Sequence, residues 1–307
     1  VMQVKFFKKI YKYFYVVIAL FIVFIGLYDV AVYNSSEKAP YDPVIAQNDG
    51  EEIILPIIMY HSLLKDEKYQ GKYVLSPDLF ESDLKYLEQN GYTTIVIQDL
   101  IDYFDKRTPL PEKPIMLTFD DGYYNNYLYA YPLLKKYNSK AVISIIGFYT
   151  EKYSDSGEVS ANYSHITWEE IKEMTESGLV EIQNHSYNLH STKNGRTGAK
   201  RKNGETKEEY VAVLKTDLSK LQTLLAEKCQ ITPTAFTYPF GAISAASIDV
   251  VKELGFSASL TCLQQINIID SKDDLFLLNR YLRSEEDSET FFKSLELDKY
   301  YNEVESE

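Results

Sequence analysis

The residues best placed to do chemistry in this chain are two adjacent carboxylates, Asp120 and Asp121, in the segment Thr118-Phe119-Asp120-Asp121-Gly122. They directly follow the apolar run Pro114 to Leu117, and in parallel α/β folds the ends of strands point into the site. Adjacent carboxylates there repel one another unless a cation or a shared proton neutralises them. The competing reading is a plain Asp-Asp-Gly turn, since these residues dominate turns for local reasons. A second segment, Asn184-His185-Ser186-Tyr187-Asn188-Leu189-His190, also follows an apolar run and holds two of the chain's four histidines. At this spacing two imidazoles lie roughly 140° apart on a helix and on opposite faces of a strand, so they converge only across a turn. Two neutral imidazoles and one carboxylate, with positions left open to water, form the ligand set of a hydrolytic metal site.

Two further segments end apolar runs. His61 closes Pro56-Ile57-Ile58-Met59-Tyr60, and parallel strands would bring it to the same end as Asp120, Asp121 and His185. Phe236-Thr237-Tyr238-Pro239-Phe240-Gly241 is a strand running into a Pro-aromatic-Gly turn, whose exposed backbone N–H groups could face a developing oxyanion. His165, in a polar stretch before Thr167, reads as structural or exposed.

These residues need strands to hold them, and short apolar runs supply seven: Leu55 to Tyr60, Thr94 to Ile97, Ile115 to Phe119, Ala141 to Ile146, Val180 to Gln183, Ala235 to Tyr238 and Ser257 to Thr261. Amphipathic segments alternate with them. Ser76 with Pro77 opens a helix that Gly91 closes, and Thr167 with Glu170 forms a capping box for one closed by Gly178. Thr206 with Glu209 opens the longest, with Val211, Leu214, Leu218, Leu221 and Leu225 on one face, and another begins near Ser244. The alternation predicts an α/β parallel architecture, in which a barrel and a doubly wound sheet are both open. The polar, basic stretch 191–205 reads as a long surface loop.

The chain of 307 residues is 45% apolar and 25% charged, enough to bury a sizeable core. Its net charge of −13 argues against nucleic acid as a partner. Tyr13 to Leu27 carries no charge, with Lys5, Lys8, Lys9 and Lys12 before it and Asp29, Glu37 and Asp42 after. That pattern predicts a single-pass cell-membrane protein: a basic cytoplasmic segment at 1–12, a transmembrane signal anchor at 13–33, an extracytoplasmic linker at 34–52 and a catalytic domain at 53–307. A cleaved signal peptide is the alternative. Cys229 and Cys262 either pair or remain buried free thiols.

Together, Thr118 to Gly122, the His185 and His190 pair, Met59-Tyr60-His61 and Thr237 to Gly241 resemble the polysaccharide deacetylases of carbohydrate esterase family 4, the NodB-homology domain, over roughly residues 55 to 285. The five-residue histidine spacing and the Met-Tyr-His context resemble the branch of poly-β-1,6-N-acetylglucosamine deacetylases. The resemblance implies a distorted (β/α) barrel and metal-dependent release of acetate from N-acetylglucosamine units of peptidoglycan or an exported poly-N-acetylglucosamine. It further implies Asp120 as general base, and Asp121, His185 and His190 as ligands of one divalent metal, zinc by default with cobalt or nickel acceptable. In that branch a histidine in the Met-Tyr-His context fills the role of the family's late motif, which is absent here since no histidine follows His190, so the resemblance implies His61 as the catalytic acid. The Phe240 N–H would be the oxyanion donor, flanked by Tyr238 and Pro239 toward substrate. Where the family has an arginine that pairs with the base, this chain has Thr237, which leaves the orienting role to Arg280 or Arg283. A metal-dependent amidohydrolase of non-glycan amides and a silent glycan-binding module are the alternatives.

Overall fold

The computed structural model describes residues 52–297 and 299–301. The expected anchor and most of the linker lie outside them. Among the described residues no helix is long and apolar enough to cross a membrane.

Twelve short strands form among these residues: β1 (Ile53–Leu55), β2 (Ile57–Tyr60), β3 (Ser62–Leu63), β4 (Val74–Leu75), β5 (Thr93–Ile95), β6 (Pro114–Phe119), β7 (Ala141–Ile145), β8 (Val180–Asn184), β9 (Ala235–Thr237), β10 (Ala258–Leu260), β11 (Asn267–Ile269) and β12 (Tyr281–Leu282). The main sheet runs in the order β10-β9-β8-β7-β6-β2-β12, all parallel, with β5 wedged beside the first half of β6. One parallel bridge, Leu260 with Leu278, joins the two ends, so the sheet curls into an incomplete barrel rather than an open doubly wound sheet. The antiparallel pair β1 and β11 lies beside this ring.

The helices are α1 (Pro77–Gln89), α2 (Ile97–Lys106), α3 (Tyr131–Tyr137), α4 (Gly147–Ser156), α5 (Trp168–Glu176), α6 (Lys207–Cys229), α7 (Ala245–Glu253) and α8 (Ser288–Ser294). Their starts follow the sequence punctuation. Ser76 Oγ accepts from Leu79 N–H, and Thr167 with Glu170 and Thr206 with Glu209 form reciprocal capping boxes. One boundary moves. The run Thr94 to Ile97 ends as a strand at Ile95, because Asp99 accepts the Val96 N–H at 2.9 Å and starts α2 at Ile97. On α6 the buried residue at the head of the stripe is Tyr210, with Val211 only partly covered.

Alternation along the strands divides the core. Ile57, Met116, Val142, Ala235 and Leu260 share the cluster inside the ring, whereas Ile58, Leu117, Ile143 and Ile182 pack outward against the helices. The segment 191–205 is the expected surface loop, without regular secondary structure and mostly exposed, and it is pinned from within. Arg196 is 7% exposed, its guanidinium held by the Lys200 carbonyl and by Glu205, and Ala199 is buried with its carbonyl accepting from the Tyr210 hydroxyl. One of its basic residues is thus consumed internally. Gly198 has φ +53°, and a Cβ there would lie 2.5 Å from the Pro239 carbonyl oxygen. Gly198→Ala is therefore expected to displace the Pro239-Phe240 turn and to lower the thermal midpoint measurably; an unchanged midpoint and unchanged activity would refute the contact.

Candidate active site

The period of two that fills the barrel also aims the polar residues. Continuing each inward column past its strand end, Met116 leads through Thr118 to Asp120, Ile57 through Met59 to His61, and Gln183 to His185. Asp120 is 2% exposed and grips Arg280 through two hydrogen bonds, Nη1 to Oδ1 at 2.7 Å and Nη2 to Oδ2 at 2.8 Å. Arg280 donates as well to the Thr261 carbonyl at 2.7 Å and the Thr118 hydroxyl at 3.2 Å. Burial by itself would raise the Asp120 carboxyl, but the Arg280 charge outweighs it and holds the group well below the usual carboxylate range.

Asp121 leaves the column. Its φ of +70° and that of Gly122, +69°, turn the chain aside, and a Cβ on Gly122 would meet Ile145 Cγ2 at 2.9 Å. The turn carries the Asp121 carboxylate to the histidines. His185 is buried and its Nδ1 lies 2.8 Å from the Thr237 carbonyl, which can only accept, so Nδ1 carries the proton and Nε2 is left with a free lone pair. The turn after β8 is built by Asn184, whose Oδ1 accepts from Ser186 N–H at 2.8 Å, and by Ser186 at φ +80°. It returns His190 to within 5.0 Å of the His185 ring centroid. Asp121 Oδ1 sits 3.6 Å from His185 Nε2 and 3.2 Å from His190 Nε2.

One ligand atom from each of Asp121, His185 and His190 lies within 4.8 Å of the others. Asp121 Oδ1 is buried and accepts no hydrogen bond among the described residues. Burial pushes Asp121 up to about 6, burial likewise lowers His185 to about 3, and it lowers His190 below its ordinary value. Neutral imidazoles facing an unsatisfied carboxylate oxygen are the donor set of a divalent cation, so these three residues fit a metal.

A cleft of about 640 Å³ opens over the site, lined by His61, Asp120, Asp121, Tyr123, His185, His190 and Phe240. His61 Nδ1 has no hydrogen-bond partner among the described residues, and its ring stands edge-on to Tyr73 at 4.8 Å. Burial lowers its pKa, with the Asp120 and Asp121 charges opposing that shift. Phe240, at φ +59°, is half-exposed and packs its ring 4.2 Å from that of His190.

Two expected substrate contacts are corrected. Tyr238 is fully buried against Phe236 with its hydroxyl on Ser247, and neither it nor the buried Pro239 lines the cleft. The inward residue of that strand is Thr237, so Tyr238 faces the helices. Arg280 and Arg283 separate as well: Arg280 takes Asp120, while Arg283 pairs with buried Asp83, which also accepts from the Tyr60 hydroxyl. Thr237 replaces the missing arginine with nothing charged, its hydroxyl pairing with Ser144 at 2.7 Å. Cys229 and Cys262 are free thiols, the latter bordering the cleft. His165 is buried against Tyr149 and Tyr153. The sequence reading missed Tyr123, which lines the cleft with Asp121, and Tyr69, Tyr73 and Asn162 at its rim. Tyr123 was findable, since it follows Asp-Asp-Gly directly; the rim residues sit in loops without periodicity.

Residues 107–259 match the family described as polysaccharide deacetylase. A poly-beta-1,6-N-acetyl-D-glucosamine N-deacetylase of Escherichia coli K12 is 26% identical over 222 residues, 66% of this chain and 33% of that protein. One of the same description from Staphylococcus aureus MSSA476 is 26% identical over 205 residues, 67% of this chain and 66% of that protein. This chain thus aligns with a third of the length of the first and about two thirds of the second. Among solved structures, a de-N-acetylase from Aggregatibacter actinomycetemcomitans superposes with a TM-score of 0.67 at 27% identity, covering 79% of this chain and 100% of that one.

Proposed function

Because the chain belongs to the polysaccharide deacetylase family, we propose that it hydrolyses N-acetyl groups from N-acetylglucosamine units of an exported polysaccharide, with poly-β-1,6-N-acetylglucosamine favoured over peptidoglycan. The observation that carries the reading is the juxtaposition of the Asp121, His185 and His190 cluster with the buried Asp120–Arg280 pair on one cleft. The names of the relatives support the choice of polymer. A divalent ion held by the three ligands, zinc by default and cobalt or nickel as alternatives, supplies Lewis acidity toward a carbonyl oxygen and a water.

The chain's own residues do the rest. Asp120, kept ionised by Arg280, removes a proton from the attacking water. The Phe240 N–H, on the turn that borders His190, donates to the oxygen on which negative charge develops. His61 lines the same cleft and returns a proton to the departing amine; the burial that lowers its pKa makes it a readier donor once protonated. Acetate and a free amino sugar result. The uncharged run Tyr13 to Leu27, with lysines before it, supports a cell-membrane anchor that leaves this domain outside.

The test is acetate release from β-1,6- and β-1,4-linked N-acetylglucosamine oligomers and from peptidoglycan, before and after chelation. Expected are acetate from the β-1,6 oligomers, at least tenfold loss on chelation, and recovery with Zn²⁺. Acetate from simple amides but not from sugars would move the reading to a non-glycan amidohydrolase. Oligomer binding with no acetate from any substrate would leave a silent module.

A further inference from the structure

We infer that Asp217, on the outer helix α6, is a positioning residue for the turn that spaces the two ligand histidines; the inference rests on the metal-site reading above. Its two carboxylate oxygens accept one backbone N–H each from consecutive residues, Tyr187 at 2.7 Å and Asn188 at 2.8 Å. Those two peptides are the middle of the span between His185 and His190. A carboxylate accepts and never donates, so two adjacent N–H groups are satisfied by one rigid group, and the backbone torsions between the histidines are fixed together.

The rest of the turn is held from both sides. The Ser186 and Tyr187 carbonyls accept from Gly147 and Phe148 at the start of α4, at 3.1 and 2.8 Å. Gly147 is needed there, because a Cβ would lie 2.7 Å from Leu221 Cδ1 and 3.0 Å from Tyr187 Cδ2. The Tyr187 ring lies under the Lys220 ammonium at 3.5 Å, and its hydroxyl donates to Glu151 at 2.7 Å. Asp217 sits in the middle of a helix running from Lys207 to Cys229, where it caps neither end and where aspartate is a poor helix former. Its presence there is explained by the turn it grips, not by the helix that carries it.

Asp217→Asn keeps the size of the side chain but replaces one acceptor by an NH₂ that faces an N–H, so one of the two contacts becomes repulsive. The measurement is Zn²⁺ affinity of the purified chain by competition with a chromophoric chelator, which reads histidine placement without any turnover. Asp217→Asn is expected to weaken Zn²⁺ binding about 10–100-fold, the usual range for an outer partner of a metal ligand. Asp217→Glu, with both acceptors kept, is expected to fall between that variant and the unaltered chain. Leu214→Ala, a cavity on the same helix, is expected to lower the melting temperature while leaving Zn²⁺ affinity within about twofold. Zn²⁺ binding by Asp217→Asn equal to that of the unaltered chain would overturn the inference, as would an equal loss in Leu214→Ala. If His190→Ala leaves Zn²⁺ affinity unchanged, the metal-site reading itself falls and takes this inference with it.

Discussion

Asp120→Asn is expected to lower kcat for acetate release by about 10²- to 10⁴-fold, the range supplied by a positioned general base. Zn²⁺ affinity and KM should move far less. The substitution keeps the volume of a side chain that is 2% exposed and leaves the neighbouring ligand Asp121 on its turn; it removes the capacity to take a proton together with the charge that pairs with Arg280, so kcat is compared where the variant is folded. A lower kcat with retained Zn²⁺ binding separates the base from the ligand beside it. Equal acetate release from Asp120→Asn and the unaltered chain would sink the assignment of Asp120.

The second large effect concerns stability. Arg280→Ala is expected to cost about 3–5 kcal/mol, because it strands Asp120 as an uncompensated buried charge. Both partners are almost fully buried, and Arg280 also satisfies the Thr261 carbonyl and the Thr118 hydroxyl. Arg280→Lys should recover little, since a single ammonium cannot reproduce the two parallel contacts to Asp120. Adding Asp120→Asn to Arg280→Ala should restore part of the loss by removing the stranded charge. Denaturant midpoints of Arg280→Ala, Arg280→Lys, Asp120→Asn and the double variant measure this, and a loss below about 1 kcal/mol in Arg280→Ala would show that the pair contributes no more than a surface ion pair.

Much of the site was legible because it obeys strand periodicity. Apolar runs ending in His61, Asp120 and His185 announce strands, and parallel strands place their ends together. The two histidines were readable as a turn because no regular element brings residues at that spacing together, and Ser186 at φ +80° supplies the bend. Periodicity would also have removed Tyr238, which alternates away from Thr237 and packs with the helices. Arg280 and Arg283 could not be separated from the sequence. They flank the same two-residue strand, so alternation sends one inward and one outward, and only the pairing of Tyr281 with Ile58 decides which. The brace from Asp217 was invisible for a different reason: its partners are backbone amides, which carry no residue type. The segment 191–205 was legible as a surface loop from its composition, but the enclosure of Arg196 within it was not.

The incomplete ring has a consequence for the order in which the protein is made. Asp120 and Arg280 are separated by 160 positions, and β12, which directly follows the arginine, pairs with β2. The aspartate, both histidines and the turn at Phe240 all precede the arginine in the chain, so elements formed before the arginine joins them lack it. Until then the Asp120 carboxylate lacks its guanidinium partner, and burial favours its protonated form. On the proposed reading, the pairing of β12 with β2 is then also the step that ionises the base.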